Sequence, residues 1–192
     1  MLKLSKSSIK AISGIIFGVL SLIFSAYYTN YTKAQAIPNK ELPIQVYFTP
    51  WDNAEDAIIS AINEAKHSIY IQAYVWTSKP LTDAIINAKK RGLAIYLLCD
   101  KDQMTSSKYS LVPNLVNAGI TVKLEVKYQN AHNKIIILDY NADEPTVITG
   151  SYNFSYSAQH RNSENVLIIK DSKIANAYFN NWQKHSNEAL MY

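Results

Sequence analysis

The ten residues A-H-N-K-I-I-I-L-D-Y, from Ala131 to Tyr140, place ionisable groups at both ends of an apolar run. Ile135–Leu138 is unbroken by any polar residue, which is typical of a strand that is covered on both faces. His132 and Lys134 precede this run and Asp139 follows it. Polar residues are common at strand ends, but the same pattern is expected of a strand that delivers catalytic groups to an active site.

The spacing of the two basic residues favours the catalytic interpretation. His132 and Lys134 are two positions apart, and alternate residues of a strand point to the same face. An imidazole would then lie beside a fixed ammonium group. Imidazole can attack phosphorus, and a neighbouring ammonium can bind the non-bridging oxygens. The pair therefore predicts chemistry at a phosphoryl group.

Two polar segments further along the chain extend this candidate site. In T-G-S-Y-N, Gly150 allows a tight turn where the backbone can approach a ligand, and Ser151 and Asn153 add neutral donors. In N-S-E-N, Glu164 is expected to accept a hydrogen bond from one ring nitrogen of His132. Such a bond would fix the tautomer and leave the other nitrogen free to attack.

The positive charge of the chain is concentrated at its N-terminus. The net charge is +4, but four of the 19 basic residues lie within residues 1–36, which contain no acid. The 15 basic residues that follow are balanced by 15 acidic ones, so the rest of the chain is neutral overall. A hydrophobic content of 48% indicates a globular domain.

The first 36 residues read as an export signal. A basic start is followed by an uncharged apolar run from Ala11 to Phe24, and Ala34-Gln35-Ala36 fits a small-x-small cleavage site. Cleavage after Ala36 would give a protein exported across the inner membrane and secreted, with residues 37–43 as a linker. The alternative is an uncleaved N-terminal membrane anchor, because the uncharged stretch is long enough to cross a bilayer.

Residues 44–192 predict one α/β domain with a mixed, largely parallel β-sheet flanked by helices on both faces. Strands crowd the second half, so some antiparallel pairs are expected there. The predicted strands are 44–48, 68–76, 93–99, 120–126, 132–138, 146–149 and 165–169, and the predicted helices are 53–66, 80–90, 109–117 and 172–185.

Other catalytic chemistries find little support in the sequence. The sequence contains no H-x-x-x-H and no cysteine pair, and no dense carboxylate cluster lies near His132, so nothing indicates a metal centre. A G-x-S-x-G motif for a serine nucleophile is also missing from the sequence. Cys99, the single cysteine, lies in an apolar run and is expected to be a small buried hydrophobe.

Taken together, H-x-K-x-x-x-x-D from His132 to Asp139, G-S-Y-N from Gly150 and S-E-N from Ser163 resemble the signature of the phospholipase D superfamily. The chain is similar to the small exported bacterial members with one signature per chain, which include secreted phospholipases D and secreted endonucleases. The resemblance covers nearly all of residues 44–185 and implies the phospholipase D-like fold.

The resemblance also implies a mechanism. It is that of a metal-independent phosphodiesterase without cofactor, in which one histidine forms a phosphohistidine and a second protonates the leaving group and then activates water. His132 would be the nucleophile, Lys134, Ser151 and Asn153 would bind phosphate oxygens, and Asp139 would have a supporting structural role. One signature supplies one such histidine, so we expect a homodimer with a shared active site.

Two enzymatic substrates and one non-enzymatic role remain open at this level. The first is a phosphatidylcholine-type lipid, cleaved to phosphatidic acid with peripheral membrane contact, which the neutral domain favours. The second is nucleic acid, cleaved without sequence preference, with Lys123 and Lys127 as a modest phosphate-binding patch. Tyr128, Tyr152 and Phe154 could stack on bases or touch acyl chains, or they could equally belong to the core, which is the commoner place for Tyr and Phe. A catalytically inactive binding protein is the third interpretation.

Overall fold

A computed structural model of the chain describes residues 44–192 and five helical residues, Gly18, Ser21, Leu22, Phe24 and Ser25. Apart from those five, the expected signal peptide or anchor (1–36) and linker (37–43) lie outside the described residues. The chain divides into two compact units, residues 1–41 and 42–192. Within the described parts, none of the helices has the length and apolar character needed to span a bilayer.

Strands and helices alternate through the first half of the second unit, and strands dominate from residue 121 onwards. The strands are β1 (Ile44–Thr49), β2 (Ser68–Ala73), β3 (Ala94–Asp100), β4 (Thr121–Glu125), β5 (Lys134–Leu138), β6 (Thr146–Gly150), β7 (Glu164–Lys170) and β8 (Leu190–Met191). The helices are α1 (Ala54–Glu64), α2 (Lys79–Lys90), α3 (Lys101–Ser106), α4 (Val112–Asn117), α5 (Tyr156–His160) and α6 (Ser172–Glu188).

The strands form one mixed sheet in the order β1-β7-β6-β5-β2-β3-β4-β8. This confirms the predicted mixed sheet, but its parallel part is smaller than expected. In the described chain, parallel pairing is limited to β2–β3 and β3–β4, and the other neighbouring pairs are antiparallel. Helical crossovers separate β2, β3 and β4 along the chain, whereas β5 and β6 are joined by a short turn that forces them antiparallel.

Helices cover both faces of this sheet, as predicted. On one face, Ile136 of β5 belongs to the main core together with Ile58 of α1 and Ile85 of α2. On the other face, Ile137 packs in a second cluster with Trp182 of α6, whose indole N–H donates to a backbone carbonyl of β2 at 2.9 Å. Burial from both sides explains why β5 is apolar at every position between its ionisable ends.

Three elements differ from the sequence-based expectation in ways that matter for the site. The strand predicted from His132 begins at Lys134, because its pairing with β2 ends at the Ala73–Lys134 register. His132 therefore lies in a loop. Helices α3 and α5 were missed because six and five residues are too short to show a helical period.

Candidate active site

The structure brings His132 and Lys134 together at the start of β5. Lys134 is only 5% exposed, whereas His132 is exposed in the preceding loop. The Lys134 Nζ atom lies 2.8 Å from Nδ1 of His132 and donates to the His132 carbonyl oxygen at 2.7 Å. The ammonium group thus bridges the backbone and the ring of the same histidine.

Burial changes the proton affinity of this lysine. Desolvation lowers the pKa of Lys134 to about 8, while the nearby Glu164 carboxylate acts in the opposite direction. Lys134 therefore remains an ammonium at neutral pH. An ammonium that donates to Nδ1 leaves the ring proton of a neutral His132 on Nε2, so the imidazole in this arrangement can donate a hydrogen bond from Nε2.

The predicted hydrogen bond between Glu164 and His132 is not formed among the described residues. The Glu164 carboxylate instead accepts from the Ser151 hydroxyl at 2.5 Å and from the Asn162 amide at 2.9 Å. Antiparallel pairing of β6 and β7 brings Ser151 and Glu164 side by side, which satisfies the carboxylate locally. Glu164 acts on the site through its charge beside Lys134 rather than through a bond to the imidazole.

Ser151 and Gly150 have structural partners that the sequence did not indicate. The single hydroxyl proton of Ser151 is donated to Glu164, and the hydroxyl oxygen accepts from the Asn165 backbone N–H at 3.1 Å. Gly150 has a φ of +151°, and a Cβ there would lie 2.1 Å from the Asn165 carbonyl oxygen. The close approach that requires glycine is therefore to β7, and not to a ligand as the sequence suggested.

The aromatic residues of the following segment belong to the core. Tyr152 and Phe154 are each 2% exposed, so of the two alternatives the core is correct for them, and stacking on bases or contact with acyl chains is not. Tyr128 is exposed, and its ring lies 5.1 Å from that of His185. Between the two buried rings, Asn153 is half-buried, and its Oδ1 atom is buried without a hydrogen-bond partner.

Asp139 lies at the opposite end of β5 from His132, in a left-handed conformation with a φ of 51°. Its carboxylate accepts hydrogen bonds from the backbone N–H groups of Lys66, His67 and Ser68, at 2.8, 2.7 and 2.9 Å. These bonds fasten the end of β5 to the connection between α1 and β2. The geometry gives Asp139 a supporting position rather than one beside the imidazole.

We expect Asp139→Ala to lower the free energy of unfolding by about 2 kcal/mol, because three backbone donors lose a charged acceptor. The folded fraction should retain its turnover, since the change is at the far end of the strand. Urea unfolding followed by circular dichroism measures the first effect, and a rate per folded molecule measures the second. A large loss of turnover at unchanged stability would contradict this assignment.

Two residues near His132 were missed by sequence reasoning. The ring of Tyr74 lies 4.3 Å from the imidazole, measured between centroids, and Asp100 accepts the Ala131 backbone N–H at 2.8 Å. Both residues lie at the carboxyl ends of parallel strands, Tyr74 just after β2 and Asp100 at the end of β3. Polar residues at that edge are a signal that could have identified them.

Two other histidines have side-chain partners of their own. The His160 ring packs 4.2 Å from that of Tyr156 on α5. His185, in the last turn of α6, lies with Nδ1 2.5 Å from the buried Glu125 carboxylate. Within the part of the chain that the structure describes, no cluster of three or more His, Cys, Asp or Glu side chains has a geometry that could hold a metal ion.

Comparison with known proteins gives consistent matches. Residues 58–185 match the family model described as "Cardiolipin synthase, PLD-like domain". The chain is 36% identical over 189 residues to phospholipase D of Rickettsia prowazekii (strain Madrid E), covering 91% of this chain and 89% of that protein. It is 28% identical over 127 residues to the mitochondrial cardiolipin hydrolase of Xenopus tropicalis, covering 66% of this chain and 58% of that protein.

A solved structure extends the similarity to the fold. The phospholipase D family member Nuc from Salmonella typhimurium superposes with a TM-score of 0.72 at 33% identity, covering 78% of this chain and 97% of that one. From the family match, the relatives and the shared fold, we conclude that this chain is a phosphodiesterase of the phospholipase D superfamily.

Proposed function

We propose that the protein is a phospholipase D that hydrolyses phosphatidylcholine-type lipids to phosphatidic acid and the free head group. The observation that carries this proposal is the buried Lys134 ammonium held 2.8 Å from the His132 imidazole. A fixed cation beside a solvent-accessible nucleophile is what attack on an anionic phosphodiester requires. The near full-length similarity to a protein named phospholipase D supports the lipid as substrate.

The proposed reaction proceeds in two displacements at phosphorus. In the first, Nε2 of His132 forms a bond to phosphorus as the bond to the head-group oxygen breaks, and a second imidazolium gives its proton to that oxygen. In the second, water loses a proton to the second imidazole and attacks phosphorus, and the phosphorus–nitrogen bond breaks. Phosphatidic acid leaves and both histidines return to their starting protonation states.

Lys134 would link substrate binding to the tautomer of the nucleophile. Attack through Nε2 needs the ring proton on Nδ1, whereas the ammonium contact at Nδ1 favours a proton on Nε2. A substrate phosphate that binds the ammonium would remove this donor from Nδ1. The second imidazole acts as the acid in its protonated form, which carries hydrogens on both ring nitrogens, so its own Nδ1 must also be released from the ammonium contact.

The second imidazole would come from a second copy of the chain. His160 packs on Tyr156 and His185 on Glu125, so neither is presented beside His132 by the contacts of the described residues. A C2 dimer with the two His132 residues near its axis provides both groups. Substrate binding then distinguishes two chemically identical imidazoles.

The charge distribution favours lipid over nucleic acid. Both lysines of the expected phosphate-binding patch have internal partners: Lys123 donates to the Ser186 carbonyl at 2.7 Å, and Lys127 lies 3.1 Å from the Glu188 carboxylate. A nuclease needs free cations along a backbone of phosphates. The alternative, a metal-independent endonuclease of the same fold, keeps the His132–Lys134 chemistry and differs only in substrate.

A direct comparison of substrates tests the proposal. The purified protein is assayed in the presence of chelator on phosphatidylcholine vesicles and on single-stranded and double-stranded DNA, with His132→Asn as the matched control. We expect choline release that the control lacks, and little DNA cleavage. DNA cleavage without choline release would favour the endonuclease, and loss of all activity on chelation, restored by a divalent ion, would contradict the mechanism.

Export is part of the same proposal, with the leader removed after Ala36 and the protein secreted. The basic, apolar and small-x-small segments of residues 1–36 support it. Mass spectrometry of the mature protein should find Ile37 at the N-terminus. An intact Met1 in protein from the membrane fraction would instead support the N-terminal anchor.

Mixing wild-type chains with His132→Asn chains tests the shared site. A heterodimer lacks one of its two imidazoles, so random pairing makes the surviving activity fall as the square of the wild-type fraction. At one wild-type chain in ten, we expect about 1% of the full activity instead of about 10%. Exchange of chains is verified separately with differently tagged copies. A linear fall after complete exchange would show that each chain works alone.

A further inference from the structure

We propose that Tyr74 is a positioning residue whose aromatic ring orients the His132 imidazole and stabilises the positive charge that develops on it. The inference rests on the nucleophilic role proposed for His132 and goes beyond it. It concerns a residue outside the recognised signature, and it gives that residue an electrostatic task that the signature residues do not supply.

The ring of Tyr74 contacts both basic groups of the site. Its centroid lies 4.3 Å from that of the His132 imidazole, with the ring planes inclined at 49°, and 5.0 Å from Nζ of Lys134. Both separations are within the range of attraction between a cation and an aromatic face, which extends to about 6 Å. The Tyr74 backbone N–H also donates to the Asn133 carbonyl at 3.0 Å, which fixes the ring against this loop.

Hydrogen bonds hold the other end of the ring. The Tyr74 hydroxyl donates to Asn130 Oδ1 at 3.1 Å and accepts from Gln103 Nε2 at 3.0 Å. The buried Asp100 connects the same two segments. One of its carboxylate oxygens accepts the Gln103 backbone N–H at 2.9 Å, and the other accepts the Ala131 backbone N–H at 2.8 Å. Helix α3 and the loop that carries His132 are thus fastened to each other and to the ring.

This position suits a charge that changes during the reaction. Attack by Nε2 on phosphorus converts a neutral imidazole into a cationic phosphohistidine ring. The face of Tyr74 attracts the cation more strongly than the neutral ring, so the contact strengthens towards the transition state. The nearby acids, Glu164 on β7 and Asp100 on β3, are engaged by Ser151 and by backbone donors, and the phenol ring stabilises charge without competing for a proton.

Two substitutions separate the ring from its hydroxyl. Tyr74→Phe keeps the ring and removes the hydroxyl, and Tyr74→Leu removes both. On bis-p-nitrophenyl phosphate, a soluble phosphodiester, we expect kcat of Tyr74→Phe to remain within about threefold of wild type and that of Tyr74→Leu to fall by about 10- to 30-fold, with KM nearly unchanged.

A purely structural role would lower kcat only in step with the folded fraction, and the phenylalanine variant would not restore it selectively. Folding is checked by circular dichroism, and rates are expressed per folded molecule. If Tyr74→Leu does not fold, Tyr74→Met replaces it. A kcat within about threefold of wild type in a folded variant without the ring would overturn the proposal, as would equal losses in Tyr74→Phe and Tyr74→Leu. Unimpaired hydrolysis by His132→Asn would instead refute the proposed nucleophile, so the two failures are distinguishable.

Discussion

Replacing His132 with asparagine is expected to lower turnover by about 10⁵-fold or more, the order of loss seen when a covalent nucleophile is removed from an enzyme. Asparagine keeps a polar side chain of similar reach but cannot form the phosphorus–nitrogen bond. Because the mechanism needs this bond in both displacements, no partial reaction should remain. Lipid hydrolysis and hydrolysis of a soluble phosphodiester should therefore be lost together.

The fold should tolerate this change. His132 is exposed in a loop, and its main contacts are the Tyr74 ring and the Lys134 ammonium. Surface substitutions of this kind usually change stability by less than about 1 kcal/mol, so the denaturant midpoint should be close to that of wild type. The matched control is His160→Asn, which alters an exposed histidine on α5 and should keep full turnover.

Two results would contradict the assignment. Near-normal turnover in His132→Asn would exclude His132 as the nucleophile. A comparable loss in His160→Asn, with the fold intact, would make His160 the leading candidate for the second acid–base group. The shared site of a dimer would then no longer be needed to supply two histidines.

The juxtaposition of His132 and Lys134 could be predicted from the sequence because its determinants are local. Strand β5 is covered on both faces and is apolar after Lys134, so the ionisable residues at its two ends are conspicuous. The spacing of His132 and Lys134 alone indicates a shared position at one end of the strand. The left-handed turn at Asp139 and its three backbone partners depend on the connection after α1, which lies far away in sequence.

The rest of the site depends on pairings that a single sequence does not specify. The register between β6 and β7 decides that Glu164 binds Ser151 and that Gly150 meets Asn165. Tyr74 and His132 are 58 positions apart in the sequence, and they meet only because β2 lies beside β5 in the sheet. The small extent of parallel pairing could not be predicted for the same reason. Strand order is set by tertiary contacts, and the hydrophobic periodicity of the sequence carries no information about them.

Replacing Lys134 with methionine is expected to lower kcat/KM by about 10²- to 10³-fold at neutral pH, as for removal of an oxyanion donor. Methionine keeps most of the volume of the buried stem, so the variant isolates the ammonium charge. Lys134→Ala should show the same loss with an added cost in stability from the space left behind. Stopped-time assays on the soluble phosphodiester give the rates.

The pH dependence provides a sharper test than the rate alone. Burial lowers the pKa of Lys134 to about 8 from the usual value of 10.5, and the reaction needs its charged form. Wild-type kcat/KM should therefore fall as pH rises through about 8, because this parameter reports the free enzyme. In Lys134→Met the part of the decline that is due to this ammonium should vanish, so kcat/KM should be low and should fall less steeply over the same interval than in wild type.

Stability should change in the opposite direction over that interval. Between the folded pKa of about 8 and the unfolded value near 10.5, the unfolded chain binds more protons at Lys134 than the folded one. The contribution of this group to the free energy of unfolding therefore increases with pH. Compared with Lys134→Met, wild type should become relatively more stable while it loses activity. If kcat/KM and the free energy of unfolding fall together, the alkaline decline is due to unfolding. If kcat/KM falls while the relative stability rises, the decline is due to the ammonium group beside His132.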